Sequence, residues 1–342
     1  MIKIQNKDLD KLANEHYDLL CTKFSFSISK RIKASLDKYK KTRKPIYKKY
    51  FSLLTYIDEN LKEIIVSKPI LLEQFKEELT KKSEDFEFYK NSKEKTEEQK
   101  EILKDLNLIF NYDTFSSTGF TKAKTKNNKG YFYSGNVLVN NLKVFICPYC
   151  NRNTIYMINN NENRTSQIDH FYPKSIYPFF ALSFYNLVPS CGICNKIKLD
   201  NDDKEYINPY DDRFDMNKNM KFSLKVTKST FYHSVNGFNL DYKYSKDISK
   251  NEKDRIEANL NDFELNELYQ NHKDIVLELI QKNEIYNESY LDELMGYYEG
   301  TLFKNREDLL RLVTCGYVSD EDINKRPLSK LIKDISNELD LI

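Results

Sequence analysis

Two Cys-x-x-Cys pairs, Cys147-Pro148-Tyr149-Cys150 and Cys191-Gly192-Ile193-Cys194, constrain this chain more than any other feature. Each pair offers two sulfurs from one tight turn, and two such turns facing each other supply four thiolates to a tetrahedral zinc ion. Forty residues lie between Cys150 and Cys191, too many for a compact ribbon. The chain must therefore leave the metal site, build something, and return. Four sulfur ligands leave no open position, so the ion is expected to be structural. The remaining two of the six cysteines, Cys21 and Cys315, read as free, buried, unreactive thiols.

Hydrophobic periodicity divides the rest of the chain. Leu53, Leu54, Ile57, Leu61, Ile64 and Ile65 recur at three- and four-residue steps, as do Ile102, Leu103, Leu106, Ile109 and Phe110. Residues 1–120 are expected to form a largely helical N-terminal region for docking, gating or nucleic-acid contact. The charged stretch Lys81–Lys100 reads as an exposed helix or a mobile connection, and Thr121–Gly130 as a basic boundary loop. From Val137 to Ile158 β-branched and aromatic residues suggest strands running into and out of the first cysteine turn. A polar turn at 159–163 follows. Strands are expected at Thr165–His170 and Phe184–Val188, and a helix from Gly192 to Leu199. Some strand between Lys221 and Tyr244 should precede helices in the region 211–342. His272 falls on the apolar spacing of Leu265 to Ile280, and Pro327 suits the first turn of a final helix.

Between the cysteine pairs stand Asp169-His170 and Asn186, and Asn195 directly follows Cys194; the His–Asn–Asn spacings are 16 and 9 residues. The runs Gln167-Ile168-Asp169-His170-Phe171-Tyr172-Pro173-Lys174 and Tyr185-Asn186-Leu187-Val188-Pro189-Ser190-Cys191, followed by Cys194-Asn195-Lys196-Ile197-Lys198, resemble an HNH endonuclease, a ββα-metal fold. The likeness covers Cys147 to Asp200. It is similar to bacterial defence-associated HNH nucleases such as the Septu-type nuclease subunit. The implied architecture is α+β: a central ββα-metal module at residues 130–210, stapled by a four-cysteine zinc site and flanked by largely helical regions. The implied activity is metal-dependent hydrolysis of DNA phosphodiester bonds in anti-phage defence, leaving a 5′-phosphate and a 3′-hydroxyl. A regulatory ATPase or another defence-system subunit is the implied partner.

The chemistry of these side chains accords with that likeness. Phosphodiester hydrolysis needs an activated water, compensation of charge on the phosphate, and help for the departing oxygen. A neutral imidazole suits proton removal, so His170 is the expected general base. Asp169 should point to the opposite strand face. Its carboxylate and the Asn195 amide oxygen are hard ligands for one Mg²⁺ or Mn²⁺. The family likeness gives Asn186 a supporting role in holding the region and orienting the histidine. Lys174, Lys196, Lys198 and, less directly, Arg152 are candidates for phosphate contact, or are solvated surface cations.

Net charge is only +2, so total charge does not announce a polyanion partner. Ten Lys or Arg against one acid between Lys30 and Lys49, with Tyr39, Tyr47 and the adjoining Tyr50, do suggest a local nucleic-acid grip or a solvated helix face. Lys122–Lys129 offers the same choice. The polar N-terminus argues against a secretion signal, and no apolar run approaches the roughly 18 residues that cross a bilayer, so a cytoplasmic protein without membrane contact is expected. Two other functions fit the pattern. The same site could cut RNA, or the zinc-stapled segment could bind nucleic acid without catalysis. Only the catalytic readings explain why Asp169, His170, Asn186 and Asn195 occur together.

Overall fold

A computed structural model describes residues 2–23, 27–121, 132–158, 163–198 and 204–342. Residues 122–130 of the boundary loop read at Thr121–Gly130 and most of the 159–163 turn lie outside them. The fold is α+β with helix dominant, and its described strands form four two-stranded antiparallel sheets.

The N-terminal third is helical as its periodicity demands. Helices span Leu9–Tyr17, Ile28–Tyr39, Pro45–Glu59, Leu61–Val66, Pro69–Ser83 and Glu97–Ile109. Pro45 and Pro69 sit in first turns, where a missing N–H costs nothing. Leu53, Leu54, Ile57, Leu61, Ile64 and Ile65 are all buried. The charged stretch after Lys81 ends one helix, makes a short 3-10 turn at Glu84–Phe86, and starts the next through a capping box between Thr96 and Gln99.

The expected strand from Val137 is instead the helix Gly135–Leu142. Ser134 Oγ accepts the Val137 N–H, and Leu138, Val139 and Leu142 bury one helical face. Capping and a three-to-four-residue apolar spacing outweigh β-branched propensity.

The centre holds the hairpin Gln167–His170 and Leu187–Ser190, followed by the helix Gly192–Lys198. Register pairs Gln167 with Ser190, Asp169 with Val188 and His170 with Leu187. Asn186 lies just before the second strand, at the end of the 3-10 turn Phe184–Asn186, rather than on the strand.

Beyond it, Met220–Val226 pairs with Phe238–Tyr244, and helices follow at Lys250–Asp262, Leu265–Gln270, Lys273–Ile285, Glu288–Tyr298, Arg306–Thr314 and Ser329–Glu338. His272 breaks the expected continuous helix and stands as the N-cap of the second piece. Pro327 precedes the final helix, whose N-cap is Leu328. That helix is pinned to the hairpin by polar groups. Lys330 Nζ donates to Met220 O at 2.8 Å and pairs with Asp334 at 2.9 Å, and Asp334 accepts the Phe222 N–H at 3.0 Å. One cluster of buried apolar side chains runs from Ile4 to Leu341 through all three segments.

Candidate metal centre and active-site cleft

The first cysteine turn is closed by Asn151 N–H to Cys147 O at 2.8 Å and Cys147 N–H to Asn153 O at 2.9 Å. The second leads into the helix Gly192–Lys198, with Asn195 N–H donating to Cys191 O at 3.0 Å. Together the turns place the sulfurs of Cys147, Cys150, Cys191 and Cys194 within 4.8 Å of one another, all in buried residues. None is in a disulfide. Tetrahedral Zn–S bonds of about 2.3 Å require sulfurs about 4 Å apart, so this group could hold a structural zinc ion. Hydrogen bonds support its anionic character. Arg152 N–H reaches Cys150 Sγ at 3.4 Å, Cys194 N–H reaches Cys191 Sγ at 3.5 Å, and the Asn153 amide reaches Cys191 Sγ at 3.3 Å. The Cys147 sulfur is the largest influence pulling the Cys150 and Cys191 thiols down and the Cys194 thiol up, and burial raises Cys147. Cys21 is buried as expected, but Cys315 is exposed.

Strand alternation separates the two neighbouring side chains of the Asp–His pair. Asp169 turns inward, 4% exposed, and its Oδ2 accepts from Tyr149 Oη at 2.6 Å and lies 3.3 Å from Lys198 Nζ. His170 packs its ring edge-on against Tyr112, centroids 4.3 Å apart. Its Nε2 lies 3.0 Å from the carbonyl of Ala181. A carbonyl only accepts, so Nε2 carries the proton and Nδ1 keeps its lone pair. No described residue occupies Nδ1. Burial pushes the imidazole down to about 3, with the Ala181 contact partly opposing, so it is neutral at pH 7.

Asn186 does not reach the imidazole. Fully buried, it accepts the Tyr172 N–H at 2.7 Å and donates to Tyr172 O at 3.1 Å and Phe180 O at 3.0 Å. It thereby closes the loop between the hairpin strands, and that loop carries the Ala181 carbonyl. Asn195 donates through Nδ2 to Gln167 Oε1 at 2.6 Å, which leaves its Oδ1 available.

Asp169, His170 and Asn195 line one cleft of about 380 Å³, with Tyr112, Arg164 and Lys174 on its other walls. The four cationic candidates fare differently. Lys174 stands at the cleft, 3.0 Å from Asp113 and over the Tyr112 ring. Lys196 is exposed on the helix. Lys198 is buried and committed to Asp169 and to His170 O at 2.7 Å, so it is no surface contact. Arg152 donates to His272 Nε2 at 2.9 Å and lies over Tyr269.

Several participants were not singled out in the sequence. Tyr112 and Asp113 come from the N-terminal region, on the helix Tyr112–Ser116, and no motif announces them. Tyr149 could have been noticed, because its position inside a cysteine turn is fixed by the metal spacing. Arg164 and Ser166 sit just ahead of the Gln167–His170 strand.

In the basic N-terminal run Tyr47 is half-buried, its hydroxyl donating to Glu101. Tyr39 and Tyr50 are buried, and Lys38, Lys44 and Lys49 pair with Glu101, Glu98 and Asp85. Comparison with protein-family models, curated proteins and solved structures finds no match for the chain. Among the described residues no helix is long and apolar enough to cross a membrane.

Proposed function

We propose that the cleft is the active site of a cation-dependent endonuclease of HNH type, with DNA as its substrate. One observation carries the reading: His170 is held with Nε2 on a backbone carbonyl and Nδ1 unprotonated, in a cleft shared with Asp169 and Asn195. His170 Nδ1 takes a proton from water, that water's oxygen bonds to phosphorus as the bond to the 3′-oxygen breaks, and solvent water protonates the departing oxygen to the 3′-hydroxyl. The Ala181 carbonyl, on the loop that Asn186 closes, holds the imidazole in the tautomer this requires.

The donors in the cleft suit a hard divalent cation. Asp169 Oδ1 has only a long contact, 3.4 Å to Lys198 Nζ, and Asn195 Oδ1 is available. Mg²⁺ or Mn²⁺ held there would offset charge on the phosphate and on the departing oxygen. Lys174 and Lys196 supply positive charge near the opening and position the backbone without reading sequence. Zinc in the cysteine cluster acts as a scaffold, joining the turn that carries Tyr149 to the helix that carries Asn195. A defence role under a regulatory ATPase extends this reading through the family resemblance.

The test compares wild type, Asp169→Ala and His170→Ala on supercoiled plasmid, single-stranded DNA and structured RNA, with Mg²⁺ and with Mn²⁺. Cleavage of DNA that both substitutions abolish is the expected result. Cleavage of RNA alone reassigns the substrate. No cleavage of any substrate by wild type leaves a zinc-stapled binding protein and ends the nuclease reading.

A further inference from the structure

Arg164 is a half-buried guanidinium with no carboxylate partner among the described residues. Its three hydrogen bonds all go to neutral groups: Nε to Ser166 O at 3.1 Å, Nη2 to Ser116 Oγ at 3.2 Å, and Nη1 to Asn136 Oδ1. A guanidinium has five N–H donors, so two remain. No described residue takes them, although the charge is drawn partly out of water, and an anion would complete the arrangement. Both Arg164 and Ser166 line the cleft that holds His170 and Asn195.

A second observation is independent of charge. Ser166 is 5% exposed, and its Oγ is buried without any hydrogen-bond partner. A buried hydroxyl left without a partner among the described residues is unusual, and its residue is one of those that line the cleft, two positions from Arg164. Gly135 keeps room for the arrangement. A methyl group there would lie 2.8 Å from Ile168 Cδ1 and 3.2 Å from Arg164 Nη1, so a larger residue would push aside the Ile168 side-chain end and crowd the guanidinium.

We infer that Arg164 and the Ser166 hydroxyl form a phosphate subsite in the cleft, engaging a backbone phosphate of the nucleic acid beside the one that reacts. The ligand class follows from the donors: a planar fork plus a hydroxyl matches a tetrahedral oxyanion. The inference rests on the proposed function only for the source of that phosphate. Arg164 is fixed by Ser116 and Asn136, from two different helices, so the subsite is formed before substrate arrives and loses little entropy on ordering.

The experiment is a salt titration of binding. A short fluorescein-labelled DNA duplex is bound to the full chain, without added Mg²⁺ or Mn²⁺, and anisotropy gives Kd at several salt concentrations. Arg164→Met is expected to weaken binding by about tenfold or more and to lower the salt slope by about one. Ser166→Ala is expected to weaken binding about threefold while leaving the melting temperature unchanged or raised, because an orphan hydroxyl contributes nothing to the free fold. A satisfied structural serine would instead lose stability. Arg164→Lys should retain the slope but not the full affinity. The subsite is overturned if Arg164→Met keeps wild-type affinity and slope, or if the unsubstituted chain binds no DNA. Binding that depends on Arg164 in a protein that cuts nothing upholds the subsite and removes the nuclease reading. Cleavage with Arg164→Met affinity unchanged does the reverse.

Discussion

Tyr149 Oη donates to Asp169 Oδ2 at 2.6 Å, which ties the first cysteine turn directly to the carboxylate of the cleft. The tyrosine lies between two cysteines of the cluster, is fully buried, and stacks on Phe263 at 4.8 Å. Its phenol has little freedom to turn elsewhere. The carboxylate is therefore aimed by the same turn that carries Cys147 and Cys150. Geometry at the sulfur cluster and geometry in the cleft are linked through one hydrogen bond.

Tyr149→Phe should keep the ring packing and remove only that link. Loss of a hydrogen bond to a buried charged acceptor costs about 1–3 kcal/mol, read from urea denaturation. If Asp169 holds the cation, the Mg²⁺ concentration for half-maximal cleavage should also rise several-fold. Unchanged stability together with an unchanged Mg²⁺ requirement would dismiss the coupling.

Lys198 and Asp169 form a nearly dry ion pair, with side chains 1% and 5% exposed. Removing one member of such a pair leaves a buried charge uncompensated, a loss of about 3–5 kcal/mol. Lys198→Met is accordingly expected to be markedly less stable than wild type. The carboxylate, freed of its lysine, should then be a better cation ligand. Mg²⁺ should raise the melting temperature of Lys198→Met by more than it raises that of wild type. Equal responses would mean that the cation does not meet Asp169.

The four-sulfur cluster makes a prediction that needs no substrate. Purified protein should carry about one zinc ion per chain by elemental analysis, since four converging buried thiols are a complete ligand set. Cys194→Ser should lose the metal and much of the folded signal by circular dichroism, because binding free energy at such a site is folding free energy. Protein that is folded and metal-free as isolated would show the sulfurs to be merely packed together.

The legible part of this chain was the part where spacing carries chemistry. The cysteine turns, the Asp169-His170 pair and the helix from Gly192 could be read because metal geometry and strand alternation tolerate few alternatives. The apolar face from Leu53 to Ile65 was equally plain. Misreadings arose where tertiary contact overrides local character. Val137 and Val139 favour strand, yet Ser134 caps a helix around them. Lys198 is of a type that belongs in water, yet it is buried against Asp169 on the preceding hairpin. Tyr39 and Tyr50 lie in or beside a basic run, yet their rings belong to the core. Tyr112 and Arg164 were invisible for another reason: what makes them part of the cleft is their nearness in space to His170, which no local pattern encodes.

Two imidazoles, His16 in the core and the half-buried His170, set the response to acid. His16 bonds Tyr133 Oη at 2.6 Å and Leu182 O at 2.8 Å, and burial pushes it down to about 4. His170 is pushed down to about 3, again by burial first. In the unfolded chain both would titrate near about 6.5. Between the folded and unfolded values the unfolded chain binds protons that the folded chain refuses. Stability from these groups is therefore complete above about pH 7 and falls as the pH drops through about 6.5, levelling off only below the folded values. For His16 alone the loss by about pH 4 is about 3 kcal/mol. Urea denaturation at a series of pH values should show this slope, and His16→Gln should flatten it. Under the proposed mechanism the same burial would shape the pH profile of cleavage. A base that stays neutral far below about pH 6.5 gives no acid limb there, so the cleavage rate of folded protein should hold between about pH 7 and about pH 5.5. A rate that falls about tenfold per unit below that range's midpoint would mean that His170 titrates as a solvated imidazole, outside the packing of Tyr112 and Ala181.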